Sequence, residues 1–226
     1  MWWGHLKKIL LTVSSIVDAL LDGVMPPQIH AHRVKSVRFC DLSPRPRVHR
    51  LLKQEIVTLL SYQDLHVKDI ITGLKYERST KAAHLCARVL ADYLYDEISS
   101  AKSFSSRPIY ILPIPLHTSR QRERGFNQIE RICEYMPEAL CRGPSALFLK
   151  NVLIRTRATP PQAQCSRPER LKNIRGAFTL KNPSQLQGSH IFLIDDVTTT
   201  GSTLAEAATV IRRAKAKVSC IAIARA

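Results

Sequence analysis

Ile191-Phe-Leu-Ile-Asp-Asp-Val-Thr-Thr-Thr-Gly-Ser-Thr203 decides the fold. Ile191 to Ile194 is a short apolar run rich in β-branched residues, the pattern of a strand buried in a parallel sheet. Two acids follow, then a turn of Thr, Gly and Ser, then the apolar-periodic run Leu204 to Ala214. Strand, polar loop and helix in that order leave the free N–H groups of a helix start pointing at the loop, where an anion is stabilised. Hydroxyls of Thr199, Thr200, Ser202 and Thr203 add donors, and Gly201 allows close approach of the backbone to a phosphate. Asp195 and Asp196 cannot hold that phosphate. Ionised carboxylates only accept, which suits the hydroxyls of a sugar diol. The stretch therefore reads as a cradle for ribose 5-phosphate. A capped strand–turn–helix without ligand has a similar outline, but position, acids and hydroxyls together favour the ligand.

The chain has 226 residues, enough for one domain with a substantial core, and carries a net charge of +16. Such a charge attracts polyanions: nucleic acid, anionic lipid or phosphorylated small molecules. A basic surface kept for solubility would look the same. Cys40, Cys86, Cys133, Cys141, Cys165 and Cys220 are scattered without a C-x-x-C pair, so neither a disulfide framework nor zinc-ligand spacing is expected, and a reducing cytoplasm is. Cys86 and Cys220 fall in apolar patterns and are expected to be buried thiols.

Trp2, Trp3, Leu6, Ile9, Leu10, Val13, Ile16, Val17, Leu20, Leu21 and Val24 follow one helical face, ended by Pro26-Pro27. Thr12, Ser14 and Ser15 interrupt it, so neither a signal peptide nor a spanning helix is expected over residues 1–24. An amphipathic helix docking on the domain, on a protein partner or on a membrane surface fits better. The last of these would place the protein at the inner face of the membrane.

Gln28 to Arg50 reads as a basic, Pro-punctuated, solvated connector with room for a short helix, with the domain boundary between residues 46 and 47. Leu51 to Leu60 has helical spacing, as do Val67, Ile70, Ile71 and Leu74, and Ser79 to Ile98 predicts a long helix. Ile109 to Leu112 predicts a second strand, its loop running to a helix from about Asn127 to Tyr135. Arg120, Arg122 and Arg124 crowd that loop; each guanidinium fork can grip two oxygens, which suits pyrophosphate. Pro144 to Leu149 predicts a turn or helix end, and Asn151 to Thr156 a third strand. After it come a polar loop and a helix capped by Ser166, with a short strand at Asn173 to Phe178. Helix Ser202 to Lys215 and strand Val218 to Ala224 close the chain. Alternating strands and helices predict an α/β fold with a parallel sheet.

Residues 191–203 resemble the phosphoribosyl-pyrophosphate (PRPP) loop of type I phosphoribosyltransferases. Three motifs together resemble the ComF family of phosphoribosyltransferase-fold proteins, which is associated with competence and DNA uptake. They are Pro113-Ile-Pro-Leu-His117 with Arg122-Glu-Arg-Gly-Phe-Asn-Gln128; Arg157-Ala-Thr-Pro-Pro-Gln162 with Arg170-Leu-Lys-Asn173 and Gly176-Ala-Phe178; and Asp195 to Thr203. Leu74-Lys-Tyr76 matches a weaker signature.

The resemblance implies a type I phosphoribosyltransferase-like sheet flanked by helices, and PRPP or ribose 5-phosphate as ligand. Asp195 and Asp196 would be the catalytic pair, on the ribose hydroxyls and beside a magnesium ion. Thr199, Thr200, Gly201, Ser202 and Thr203 would hold the 5-phosphate. Pro115, Leu116 and His117 would meet pyrophosphate, with Arg120, Arg122 or Arg124 neutralising it. The segment holding Arg155, Arg157, Thr159, Gln162, Arg170 and Asn173 resembles the mobile loop that closes over such a site. Either transfer of a phosphoribosyl group to a nitrogen acceptor or a non-catalytic role with single-stranded DNA is compatible with the family. Many members open with a zinc ribbon. Here Ile29 and His32 stand where its first cysteines would lie, so no structural zinc is expected and the Trp-bearing helix is expected to take the ribbon's docking role.

Overall fold

The computed structural model describes residues 33–157 and 174–226. Residues 1–32 and 158–173, which carry the expected amphipathic helix and most of the expected mobile loop, lie outside the described residues.

Among the described residues eight strands and six α-helices follow in chain order: β1 (Arg47–Leu51), β2 (Gln54–Ser61), α1 (Leu65–Tyr76), α2 (Thr80–Phe104), β3 (Ile109–Pro113), α3 (Thr118–Arg124), α4 (Gln128–Cys133), α5 (Glu138–Cys141), β4 (Leu147–Phe148), β5 (Leu153–Arg155), β6 (Phe178–Leu180), β7 (His190–Thr198), α6 (Ser202–Arg213) and β8 (Lys217–Arg225). Six strands form one sheet in the order β1-β2-β8-β7-β3-β4. All its pairings are parallel except β1 with β2. The α/β fold with a mostly parallel sheet is as the sequence predicts.

Strand β7 is central, and its alternation divides the core. Phe192 and Ile194 face one layer, packing with α1, α2 and α4 through residues such as Ile70, Leu74, Leu90, Leu94 and Ile132. Ile191 and Leu193 face the other, against Leu204, Ala207, Ala208 and Ile211 of α6 and against Leu153 and Phe178 of β5 and β6. Both faces are covered, so from Ile191 to Ile194 the strand has no polar side chain. Helix α2 starts where Ser79 accepts the amide of Ala82 at 3.2 Å, and buries Ala82, Leu85, Cys86, Val89, Leu90 and Leu94. It runs past the expected end near Ile98 to Phe104, since Ser99 to Ser103 contains no helix-breaking residue.

Several expectations are corrected. Leu51 to Leu60 is not helical: β1 and β2 form a hairpin whose two turn residues, Leu52 and Lys53, both have positive φ (52° and 62°). These signs match the primed turns whose twist fits antiparallel strands, here made without glycine. The β-branched run Ile56-Val57-Thr58 then lies beside β8. The expected connector is not simply solvated, because Val34, Val37 and Leu42 are buried in the α1–α2 layer. Residues 118–124 make a short helix rather than a continuous loop, and Leu147–Phe148 is an edge strand of the main sheet. The expected third strand shrinks to β5, which leaves the main sheet and pairs antiparallel with β6; the latter begins at Phe178, where the expected short strand ended.

Candidate functional site

All five parallel strands end at one edge of the sheet. From β3 the chain moves outward to β4; from β7 it moves the other way, through α6 to β8. The crevice between the carboxyl ends of β3 and β7 is thus the switch point of the sheet, where ligands settle in open α/β folds. The sequence motifs converge there. Pro113 pairs with Ile194, and the amide of Ile114 donates to the Ile194 carbonyl at 2.8 Å, so Pro115, Leu116 and His117 leave the sheet beside Asp195. All three are half-buried.

Asp195 and Asp196 lie on opposite sides of β7. The Asp196 carboxylate points to the α1 layer, where Oδ2 is 3.3 Å from Nζ of Lys75 and Oδ1 accepts the Val197 amide at 2.7 Å. Asp195 Oδ1 accepts the Asp196 amide at 2.9 Å. Burial, and then the neighbouring Asp196 carboxylate, push the Asp195 pKa up to about 8; Lys75 and Arg155 pull against that rise. Burial, with the Asp196 charge adding to it, lifts the Cys86 thiol on α2 to about 12 and keeps it unreactive. Two carboxylates share one nearby ammonium, and a cation or a set of hydroxyl donors would relieve both.

Beyond the acids the chain turns into α6 through Gly201, whose φ is +76°. A Cβ there would lie 2.7 Å from Cδ1 of Ile56 and 2.9 Å from Cβ of Leu51. The glycine is therefore required by backbone conformation and by the β1–β2 hairpin beneath it, in addition to whatever approach it gives a ligand. The Ser202 amide faces Thr200 Oγ1 at 3.5 Å, and the Thr200 hydroxyl donates to Ser202 Oγ at 3.1 Å. Thr199, Thr200 and Thr203 are half-buried, and Ser202 is buried. Gly201, at the cap position of α6, has no side chain to offer its amides.

Asn127 locks the other wall. Its Oδ1 accepts the amides of Ile129 (2.9 Å) and Glu130 (3.4 Å), capping α4, while Nδ2 donates to the Ile114 carbonyl at 2.9 Å. One buried amide thus ties the loop after β3 to the start of α4. The preceding Arg124-Gly-Phe126 interleaves with the end of α1: Arg124 lies over the Tyr76 ring at 5.2 Å, and Arg78 over Phe126 at 5.0 Å. Leu74-Lys-Tyr76 therefore joins the first and third motifs, with Lys75 on Asp196 and Tyr76 under Arg124.

The arginine cluster does not act as a unit. Arg122 is exposed, Arg124 is half-buried on Tyr76, and the backbone of Arg120 lies in α3. On the opposite wall Arg155 stands at the end of β5, 5.6 Å over the Phe178 ring and near enough to depress Asp195. Arg157 donates to the Arg175 carbonyl at 2.9 Å, and the Gly176 amide donates to Glu206 Oε1 on α6 at 2.8 Å, bracing the ribbon against α6. Thr159, Gln162, Arg170 and Asn173 lie outside the described residues. Lys75 and Asn127 are the positions sequence reasoning passed over. Each sat inside a motif, but nothing local revealed what it would touch.

A mostly parallel sheet with helices on both faces, with a strand–acid–acid–hydroxyl loop–helix unit at its switch point, defines a type I phosphoribosyltransferase-like fold. No protein-family model matches the chain. It is similar to the DNA utilization protein YhgH of Escherichia coli O6:H1, 34% identical over 162 residues, which cover 71% of this chain and 66% of that protein. It is also similar to Competence protein F of Haemophilus influenzae, 33% identical over 129 residues (56% and 55%), and to Competence protein ComFC of Bacillus subtilis, 30% identical over 181 residues (79% and 65%). The chain belongs to the ComF family. It spans no more than 66% of the length of these relatives. Among the described residues no helix is long and apolar enough to cross a membrane.

Proposed function

We propose that the crevice binds PRPP with magnesium and transfers its phosphoribosyl group to a nitrogen acceptor, releasing pyrophosphate, in a protein serving DNA utilization or competence. One observation carries the reading: Asp195 and Asp196 sit at the carboxyl end of β7, directly before the hydroxyl-rich start of α6. The acids take the ribose hydroxyls as acceptors. Thr199, Thr200, Ser202, Thr203 and the first amides of α6 take the 5-phosphate. Pro115 to His117 border the pyrophosphate position, with Arg120, Arg122 or Arg155 as counter-charges; Arg124, stacked on Tyr76, serves position more than charge.

Two carboxylates sharing one ammonium suit a hard divalent cation that keeps water and phosphate oxygens as its remaining ligands. Among the described residues no group of three or more His, Cys, Asp or Glu could hold a metal by itself, which fits an ion that arrives with its ligand. When bound, that ion would offset the charge of the pyrophosphate. The chain's own part is to orient the sugar and offer fixed donors to the charge that develops on the departing group. Transfer would break the anomeric C–O bond, form a C–N bond and send the electron pair to pyrophosphate.

The test is calorimetric titration of PRPP with magnesium, followed by a pyrophosphate-release screen over a panel of nucleobases. Wild type is expected to bind, and Asp195→Asn/Asp196→Asn to lose about a hundredfold or more in affinity. A wild-type chain indifferent to millimolar PRPP and ribose 5-phosphate would sink the ligand assignment. Binding without turnover of any base would leave a second reading, a non-catalytic module that handles single-stranded DNA. The net charge of +16 and the names of the relatives favour that reading. Its signature is DNA retention that weakens steeply with salt and survives the double Asp substitution.

A further inference from the structure

The opposite pole of the sheet holds a second concavity. The amino-terminal residues of β3, β7 and β8 and the last turn of α2 line a cavity of about 400 Å³. Strands rise by about 3.3 Å per residue, so His190 here and Asp195 at the crevice stand roughly 16 Å apart along β7. The two openings lie at opposite ends of the strands.

The chemistry of this cavity is the reverse of the crevice. Arg107 and Lys217 stand on its rim, and among the described residues neither is ion-paired with a carboxylate. Glu97 is the one acid in the lining, and its charge, after burial, helps raise the Tyr93 phenol on the same helix. On the floor His190 is buried, stacked on Phe192 with centroids 4.7 Å apart, and its Nε2 lies 2.9 Å from Ser219 Oγ. Burial, with Lys217 and Arg107 adding to it, holds this imidazole neutral, its pKa pushed down to about 4. Neutral His190 and the hydroxyls of Ser100, Ser105 and Ser219 line the cavity beside the rim cations. The apolar part of the lining is Ala101, Ile109 and the ring of Phe104, which is 89% exposed. An aromatic face set bare beside two unneutralised cations is the pairing that recognises a flat, anionic molecule.

We propose that this amino-terminal cavity is a second binding site, for a free nucleoside monophosphate, separate from the crevice at the carboxyl edge. The phosphate lies between Arg107 and Lys217 with Ser219 as a further donor, and the base lies against Phe104. The volume suits a ligand of that size. This inference does not rest on the proposed reaction.

The test titrates adenosine 5′-monophosphate into the full chain labelled with nitrogen-15 at histidine, following the His190 ring signals by NMR and affinity by calorimetry. The His190 signals are expected to move and saturate. Arg107→Ala/Lys217→Ala, at two exposed positions, is expected to weaken binding about tenfold or more, and adenosine without its phosphate to bind weaker by a similar factor. Phe104→Ser is expected to weaken it by about fivefold. Asp195→Asn/Asp196→Asn should bind as wild type does. Unmoved His190 signals overturn the proposal, as does adenosine binding as tightly as its monophosphate. So does binding lost in the Asp variant but kept in the Arg107/Lys217 variant, which would place the nucleotide in the crevice.

Discussion

Strand β7 begins at a buried base and carries a pair of acids near its end, and at each end burial and a like charge act against the ionised form. At His190 the like charges are Lys217 and Arg107; at Asp195 the like charge is Asp196, only partly offset by Lys75 and Arg155. Both groups are driven toward their neutral forms, the imidazole down to about 4 and the carboxyl up to about 8. Neither arrangement helps folding. A core that needed only stability would separate like charges or pair them, so two imbalances of opposite sign mark where ligands of opposite charge belong. A cation and sugar hydroxyls would complete the carboxyl end, and an anion the amino end.

Phe192 is the largest side chain between the two ends, and removing it is the most disruptive way to break the comparison. It is 1% exposed and stacks on His190. Phe192→Ala is expected to cost about 3–5 kcal/mol in urea denaturation and to let the His190 pKa rise toward its ordinary value as water enters. Gly201→Ala comes next and touches only the acid end. The added Cβ meets Ile56 and Leu51 inside contact distance while the backbone keeps a left-handed φ. A loss of roughly 2–4 kcal/mol is expected, with weaker ribose 5-phosphate binding as the β1–β2 hairpin is pushed away. A variant as stable as wild type would show that the hairpin yields freely.

The two ends should also respond to pH with opposite sign. An unfolded histidine titrates near 6.5 and the folded one at about 4, so below pH 6.5 the unfolded chain binds the proton first. Stability from this group is therefore intact above pH 6.5 and falls as pH drops toward 4, by about 2 kcal/mol between pH 6 and 4.5. His190→Gln should flatten that limb of the stability profile. For Asp195 the folded value lies above the unfolded 3.8, so in metal-free buffer its contribution improves as pH falls from about 8 toward 4. Asp195→Asn should remove that opposing slope. Two variants with slopes of the same sign would refute the contrast between the ends.

How far the sequence revealed this molecule depended on how much each residue owed to its neighbours in the chain. Strands β3, β7 and β8 were legible because buried parallel strands are short apolar runs bounded by polar residues, and Asp195 to Thr203 sit on one such boundary. Strand β2 was misread because Ile56, Leu59 and Leu60 also fit one helical face, and because Leu52-Lys53 turns without glycine or asparagine. The β-branched Ile56-Val57-Thr58 was the available hint. Strand β4 is two residues long, too short for any periodicity to show. The second cavity had no signal: Arg107, His190 and Lys217 come from three separate strand starts, and only the sheet brings them together.

Lys75 gives the smallest of the expected effects on stability and the sharpest on mechanism. A lysine in the last turn of a helix is ordinary, since the helix dipole favours a cation there. Here its ammonium also reaches Asp196, with 21% and 15% of the two side chains exposed. Lys75→Met should cost about 1 kcal/mol at neutral pH, less than a fully buried pair would, because water still reaches both groups. Its effect on titration is more diagnostic. Lys75 holds the Asp195 pKa down, so its loss should drive that value further up and leave more of the acid pair protonated near pH 7. Binding of magnesium and ribose 5-phosphate should then weaken at pH 7 and recover as pH rises, whereas binding at the amino-terminal cavity stays unchanged. Calorimetry at three pH values distinguishes this from simple loss of a contact, which would weaken binding by the same factor throughout. A pH-independent loss would mean that Lys75 touches the ligand itself rather than setting the charge of the acids that hold it.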